Sequence, residues 1–195
     1  KILLSLDRVR IFHAANRRNY LFLTCEPNFL FKNILYFVSC HLADLNICVA
    51  RHLRRKLITR LMVPNSKIAV IPNGVDPQNT VEKKNKINNP PLITYAGQLV
   101  KRKNLMLLLQ ALTQVALPFQ CLIIGDGPEK QKLEEFSQTQ KLGSKIRFQP
   151  FTPNVSRFLA RTDIFVLPSL AEGMSMSLLE AMSFGLACIV SDIDA

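Results

Sequence analysis

The sequence predicts an α/β protein whose second half is a doubly wound parallel sheet, and two observations carry that expectation. From residue 92 onward, short apolar runs alternate with stretches of helical period, the rhythm of strand–helix–strand units. The apolar runs read as continuous rather than alternating, as in strands covered on both faces.

Taken in order, residues 1–18 read as helical, with Leu3, Leu6, Val9 and Phe12 near one face. A buried strand is expected over 20–24, an apolar helix over 28–42 and a second strand over 45–50. A basic helix follows over 51–62. A short strand over 67–71 ends at the turn Pro72-Asn73-Gly74. Residues 77–91 (PQNTVEKKNKINNPP) are polar and rich in Pro and Asn, and form the expected linker. The chain thus divides into 1–76, a linker over 77–91, and 92–195. In the last part strands are expected over 92–96, 119–124, 146–148, 163–167 and 187–190. The clearest helix covers 104–116, with Leu105, Leu108, Leu109, Leu112 and Ala116 on one face. Another, over 153–161, turns Val155, Phe158 and Leu159 inward. In the commonest doubly wound order, 3-2-1-4-5-6, a ligand crevice opens between the carboxyl ends of the first and fourth strands. Those ends are Gly97-Gln98-Leu99-Val100-Lys101-Arg102-Lys103 and the segment from Pro168 to Gly173. Gly125-Asp126-Gly127-Pro128 adjoins them.

At 195 residues, 48% hydrophobic and 20% charged, the chain can bury a substantial core. No apolar run reaches the roughly 20 residues that span a bilayer. The chain begins at Lys1 rather than Met, so a fragment of a longer protein is expected. Its five cysteines, Cys25, Cys40, Cys48, Cys121 and Cys188, form no CxxC pair, and its three histidines are scattered. A zinc site is not expected, and a reducing cytosol is the expected setting. Of the net charge of +11, residues 1–89 carry +10. The densest stretch is Arg51-His52-Leu53-Arg54-Arg55-Lys56-Leu57-Ile58-Thr59-Arg60. Beside the Phe-rich segment 29–37 it makes an anionic membrane surface a candidate partner. A solvated helix face is the plainer reading. No nucleic-acid fold motif accompanies it, and no nucleic-acid partner is expected.

The chemistry concentrates in LPSLAEGMSMSLLEAMSFGLACIV. Glu172 ends a loop after an apolar strand, and Glu180 lies about two turns into the next helix by this reading. Free N–H groups at a helix start suit phosphates, and carboxylates suit hydroxyl donors. The plain alternative is a capped amphipathic helix with two ordinary glutamates. Lys103 adds a mobile cation next to another helix start. Gly125-x-Gly127 follows the second strand of the unit rather than the first, which disfavours a dinucleotide site. Asp192-x-Asp194 reads as a loop coincidence.

The run from Glu172 to Met182 matches in full the signature E-G-[FM]-[GPS]-x-x-x-L-E-A-M of glycosyltransferase family 4, the group 1 glycosyltransferases. Ile71-Pro72-Asn73-Gly74-Val75-Asp76, Tyr95-Ala96-Gly97-Gln98-Leu99 with Lys103-Asn104, and Ile124-Gly125-Asp126-Gly127-Pro128 resemble that family's other motifs, in its order. The resemblance covers roughly residues 40–195. It implies a GT-B arrangement: a Rossmann-like nucleotide-sugar-binding domain over 92–195, incomplete here, after the C-terminal part of a Rossmann-like acceptor-side domain over 1–76. It implies a retaining enzyme that moves a sugar from a nucleotide-sugar to a glycan or lipid-linked acceptor in polysaccharide biosynthesis. Neither a metal nor another cofactor is implied. The expected setting is cytoplasmic, peripheral at the inner face of the membrane. By resemblance Lys103 neutralises the departing phosphates, Glu180 binds the ribose hydroxyls, and Glu172 orients the sugar and stabilises charge. Gly173, Met174 and Ser175 offer backbone N–H groups, and Phe151 borders the base. Gln98 stands where the family usually has arginine, a second phosphate clamp; Lys101 or Arg102 is a candidate replacement. On this reading the fragment alone is expected to be inactive. A non-catalytic nucleotide-binding or interaction module derived from such an enzyme, and a basic peripheral-membrane protein, are the other readings.

Overall fold

The computed structural model describes residues 3–6, 9–13, 19–23, 30–76 and 87–193. The chain forms two compact units, one from the residues up to Asn73 with 172–174, the other from 74–171 with 175–193.

The first unit holds a five-stranded sheet in sequence order. Its strands are β1 (Leu3–Leu6), β2 (Val9–His13), β3 (Asn19–Leu23), β4 (Leu45–Cys48) and β5 (Ile68–Val70). β1, β2 and β3 pair antiparallel, and β3, β4 and β5 pair parallel. Of the stretch 1–18 expected to be helical, the described residues 3–6 and 9–13 are therefore two strands, and the rest lies outside the described residues. A spacing of three fits a helix face, but Val9, Ile11 and Phe12 favour a pleated strand, and β2 finds its partner in β3, with Ile11 opposite Leu21. Helices α1 (Leu30–Leu42) and α2 (Arg51–Leu61) supply the crossovers to β4 and β5. Cys40, Cys48, Leu53, Leu57 and Val63 form the core. Asn46, fully buried in it, donates from Nδ2 to the carbonyls of Cys40 (3.0 Å) and Lys67 (3.2 Å). That ties the end of α1 to the start of β5, as a buried amide must be paired.

The second unit holds β6 (Leu92–Ala96), β7 (Gln120–Ile124), β8 (Ile146–Gln149), β9 (Ile164–Leu167) and β10 (Ala187–Val190). They are all parallel, in the order β10-β9-β6-β7-β8. The first and fourth strands of this unit, β6 and β9, are neighbours, as the doubly wound order requires. Helices α3 (Leu105–Thr113), α4 (Lys130–Thr139), α5 (Ser156–Leu159) and α6 (Met176–Ser183) connect them. Tyr95, Leu99, Leu109, Ile123, Leu159 and Phe165 are sealed in the core. In α3 the four leucines of the expected stripe are buried, but the helix stops at Thr113 and leaves Ala116 exposed beyond it. α5 is a single turn, in which Leu159 is buried while Val155 and Phe158 pack partly covered against the core.

At the amino end of this sheet Asp163 accepts the Leu92 N–H (2.8 Å) and the Asn88 side-chain amide (2.8 Å). Asn88 also donates to the Arg161 carbonyl at 2.7 Å. The last residues of the segment read as a linker are thus pinned by side chains; 77–86 lie outside the described residues. No helix among the described residues is long and apolar enough to cross a membrane.

Candidate functional site

The carboxyl ends of β6, β7, β8 and β9 open into loops, and backbone bonds carry the strand ladder on into them. The Gly97 N–H donates to Ile124 (2.9 Å), the Leu99 N–H to Asp126 (2.9 Å) and the Gly125 N–H to Gln149 (2.9 Å). Such close stacking explains Gly125 and Gly127. A Cβ on Gly125 would overlap the Gly97 carbonyl, and one on Gly127 the backbone of Leu99. Beneath Gly97 the buried Tyr95 hydroxyl donates to the Gln98 carbonyl at 2.9 Å. The loop is thereby braced while the Gln98 side chain stays exposed.

Two charged side chains tie neighbouring loops together. Arg102 donates from Nη1 to the Ala171 carbonyl (2.6 Å), and its own carbonyl accepts the Leu170 N–H (2.8 Å). This residue, a candidate replacement for the arginine absent at position 98, therefore binds the β9 loop. Asp126 accepts the Phe151 N–H on Oδ2 (2.7 Å) and the Lys130 ammonium on Oδ1 (3.0 Å). The Phe151 N–H first, and Lys130 second, hold the Asp126 carboxyl below the usual carboxylate range.

Lys103 closes a 3₁₀ turn, Lys101–Lys103, and is only 8% exposed. The left-handed Asn104 that follows, at φ +52°, redirects the chain into α3. Asparagine tolerates that conformation better than most residues. On the other side, α6 begins at Met176 with Ser175 at its N-cap, and no side chain caps it. The Ser175 hydroxyl pairs with that of Ser177 at 3.1 Å.

Glu180 is the fifth residue of α6, so it stands just over one turn into the helix rather than two. The helix starts later than its apolar pattern suggests: 173–174 stay outside it and Ser175 is its N-cap. Glu180 lines a cavity of about 540 Å³ with Met176, Ser183 and Phe184 of α6. Pro153, Asn154 and Ser156 complete one wall, and Gly74, Val75 and Asp76 another. Burial raises the Glu180 pKa, and no described residue donates a hydrogen bond to its carboxylate. A ligand rich in hydroxyls suits such a group, because it supplies the missing donors.

The structure thus gathers Glu180 and the chain just past Phe151 around one cavity. Phe151 itself is 72% exposed. Gln98 and Lys103 sit on the adjoining β6 loop and do not line the cavity. Ser175 precedes α6, whereas Glu172, Gly173 and Met174 group with the first unit. There the Met174 sulfur accepts the Asn73 N–H at 3.1 Å. Sequence reasoning quotes Tyr95 and Asp126 within motifs but gives them no role, because their partners are backbone groups. Asn154, Ser156 and Ser183 carried no motif. No group of three or more His, Cys, Asp or Glu gathers among the described residues to hold a metal ion.

The family of group 1 glycosyl transferases matches residues 77–195, and glycosyltransferase family 4 matches residues 6–79. The chain belongs to the group 1 glycosyltransferases. The chain is 34% identical over 164 residues to the UDP-Gal:alpha-D-GlcNAc-diphosphoundecaprenol alpha-1,3-galactosyltransferase of Escherichia coli, covering 76% of this chain and 42% of that one. It is 30% identical over 139 residues to an Escherichia coli O-antigen biosynthesis glycosyltransferase, covering 67% of this chain and 39% of that one. The chain therefore spans about two-fifths of the length of these curated relatives. Among solved structures, Anabaena HepE in complex with UDP and glucose aligns with a TM-score of 0.75 at 19% identity, covering 84% of this chain and 49% of that one. A mutant of S. aureus TarM, in complex with Fondaparinux, alpha-GlcNAc-glycerol and UDP, aligns at 0.77 and 18% identity, covering 90% of this chain and 37% of that one. These likenesses establish the Rossmann-like fold.

Proposed function

We propose that the parent protein is a retaining glycosyltransferase that moves a sugar from a nucleotide-sugar to a glycan or lipid-linked acceptor. The observation that carries this reading is the Glu180 carboxylate, desolvated and without a donor among the described residues, on a cavity just past the start of α6, which no side chain caps. Glu180 accepts the ribose hydroxyls. The N–H groups from Gly173 to Ser177 and the Lys103 ammonium neutralise the diphosphate as it departs. Glu172 orients the transferred sugar and stabilises the charge that develops at its anomeric carbon. Gln98 contributes amide hydrogen bonds without charge, and Phe151 borders the base. With cationic and N–H donors on the leaving group, the reaction needs neither a metal nor another cofactor. Family membership, and the UDP present in the HepE and TarM structures, support a nucleotide donor. The diphosphoundecaprenol in the name of the Escherichia coli relative supports a lipid-linked acceptor. Work on such an acceptor suits a cytoplasmic enzyme held at the inner face of the membrane.

The test uses the full-length parent, radiolabelled nucleotide-sugars and lipid-linked or free glycan acceptors, with and without EDTA. Transfer that survives EDTA and leaves the anomeric configuration unchanged is expected. Inversion of configuration contradicts the retaining assignment, and loss of transfer in EDTA contradicts the metal-free one.

A further inference from the structure

We propose that Asp126 is a positioning residue for nucleotide recognition, whose grip on the Phe151 N–H sets the Phe151 ring as a platform for the base of the donor. The proposal rests on the donor-site reading above. It starts from a junction: Asp126 joins three loops of the carboxyl edge. Its carbonyl accepts the Leu99 N–H from the β6 loop. Its carboxylate accepts the Phe151 N–H from the β8 loop at 2.7 Å. Its own segment lies in the β7 loop, where Gly125 and Gly127 allow that close stacking.

The β8 loop would otherwise be held only where it leaves the strand, at the bond from Gly125 N–H to the Gln149 carbonyl. Phe151 comes two residues later with its ring largely in solvent. The chain then turns through Thr152, whose hydroxyl accepts the Asn154 N–H at 3.2 Å, into the wall of the Glu180 cavity. A carboxylate on the Phe151 N–H therefore fixes the backbone between the strand and the cavity, and with it the direction of the ring. Lys130, the first residue of α4, holds the other carboxylate oxygen. Being exposed, that ion pair contributes little. An aromatic face with a fixed direction stacks a base with less loss of entropy than a mobile one.

The experiment titrates the protein with UDP, GDP and ADP, and separately with inorganic pyrophosphate, by calorimetry, with a thermal melt of each variant. Asp126→Ala is expected to weaken the best-bound nucleoside diphosphate by about tenfold, the scale of one base–aromatic stack. Pyrophosphate affinity should be unchanged. Asp126→Asn, whose amide oxygen still accepts the Phe151 N–H, should restore most of the loss, and Lys130→Ala should have little effect. Phe151→Ala should match Asp126→Ala, and the double variant should be no worse than either. Unchanged nucleotide affinity in a folded Asp126→Ala protein overturns the proposal, as does an equal loss for pyrophosphate. If the unaltered protein binds no nucleoside diphosphate, the donor-site reading fails and this proposal with it. Normal binding with a silent Asp126→Ala removes the positioning role alone.

Discussion

Glu180 and Asp126 are two carboxylates whose environments push them in opposite directions, and the difference predicts a pH signature. Burial raises the Glu180 pKa, whereas the Phe151 N–H and Lys130 lower that of Asp126. Ribose hydroxyls bond best to an ionised Glu180. Nucleotide affinity should therefore fall as pH drops through the raised Glu180 value, while Asp126 is still ionised and its loop still held. Glu180→Gln should flatten that profile. The stability effect has the other sign. A folded pKa above the unfolded one means the folded state binds the proton more tightly, so Glu180 destabilises at neutral pH and this penalty fades on acidification. Glu180→Gln should thus melt no lower than the unaltered protein at pH 7. Glu180→Ala should weaken nucleotide binding by roughly 1.5–3 kcal/mol, the worth of hydrogen bonds to a charged group. Gln98→Arg should tighten it; unchanged affinity would mean that this side chain does not face the phosphates. Glu180 was legible in the sequence because its own chemistry and its motif point to a ligand. Asp126 was legible only as part of a glycine turn, because its partner is a backbone N–H 25 residues away.

Among the elements, α2 carries the sharpest expectation. Arg51, Arg55 and Ile58 fall along its solvent stripe at helical spacing, and the left-handed Met62 that caps the helix is 74% exposed. Leu53 and Leu57 are buried on the other face. Cations around exposed apolar side chains suit an anionic lipid surface. Vesicles containing anionic lipid should bind the protein at low salt and release it as salt rises, and charge reversal at Arg51 and Arg55 should reduce binding. Equal cosedimentation with neutral vesicles would mean that the helix is simply solvated. In the second unit, Leu109→Ala should destabilise by roughly 2–5 kcal/mol, since Leu109 is fully buried. A denaturant melt measures this. Elements of sustained period were legible: α3 announces its buried leucines, and β6, β7 and β9 their continuous apolar runs. The 1–18 stretch was not, because apolar residues spaced by three leave helix and hairpin unresolved until β3 supplies the pairing. α5 is shorter than the expected 153–161, a single turn in which Leu159 is the buried residue.

For the whole molecule, the strand order of the second sheet followed from alternation and the doubly wound rule. The location of the cavity did not: it is lined by α6, the 153–156 stretch and 74–76, and by none of the residues at the ends of β6 and β9 where the rule puts a crevice. Which loops would be tied to which did not follow, because Arg102 and Asp126 act on carbonyl and N–H groups that every residue carries. The central claim is that the carboxyl edge of this sheet, with Lys103, Glu180 and the start of α6, holds a nucleoside diphosphate. Calorimetric titration of the protein with UDP, GDP and ADP, with and without EDTA, tests it most directly. Saturable binding of at least one of them, unchanged by EDTA and weakened by Glu180→Ala, is the predicted result. A folded protein that binds none of the three, or binds only when a divalent metal is supplied, would contradict it.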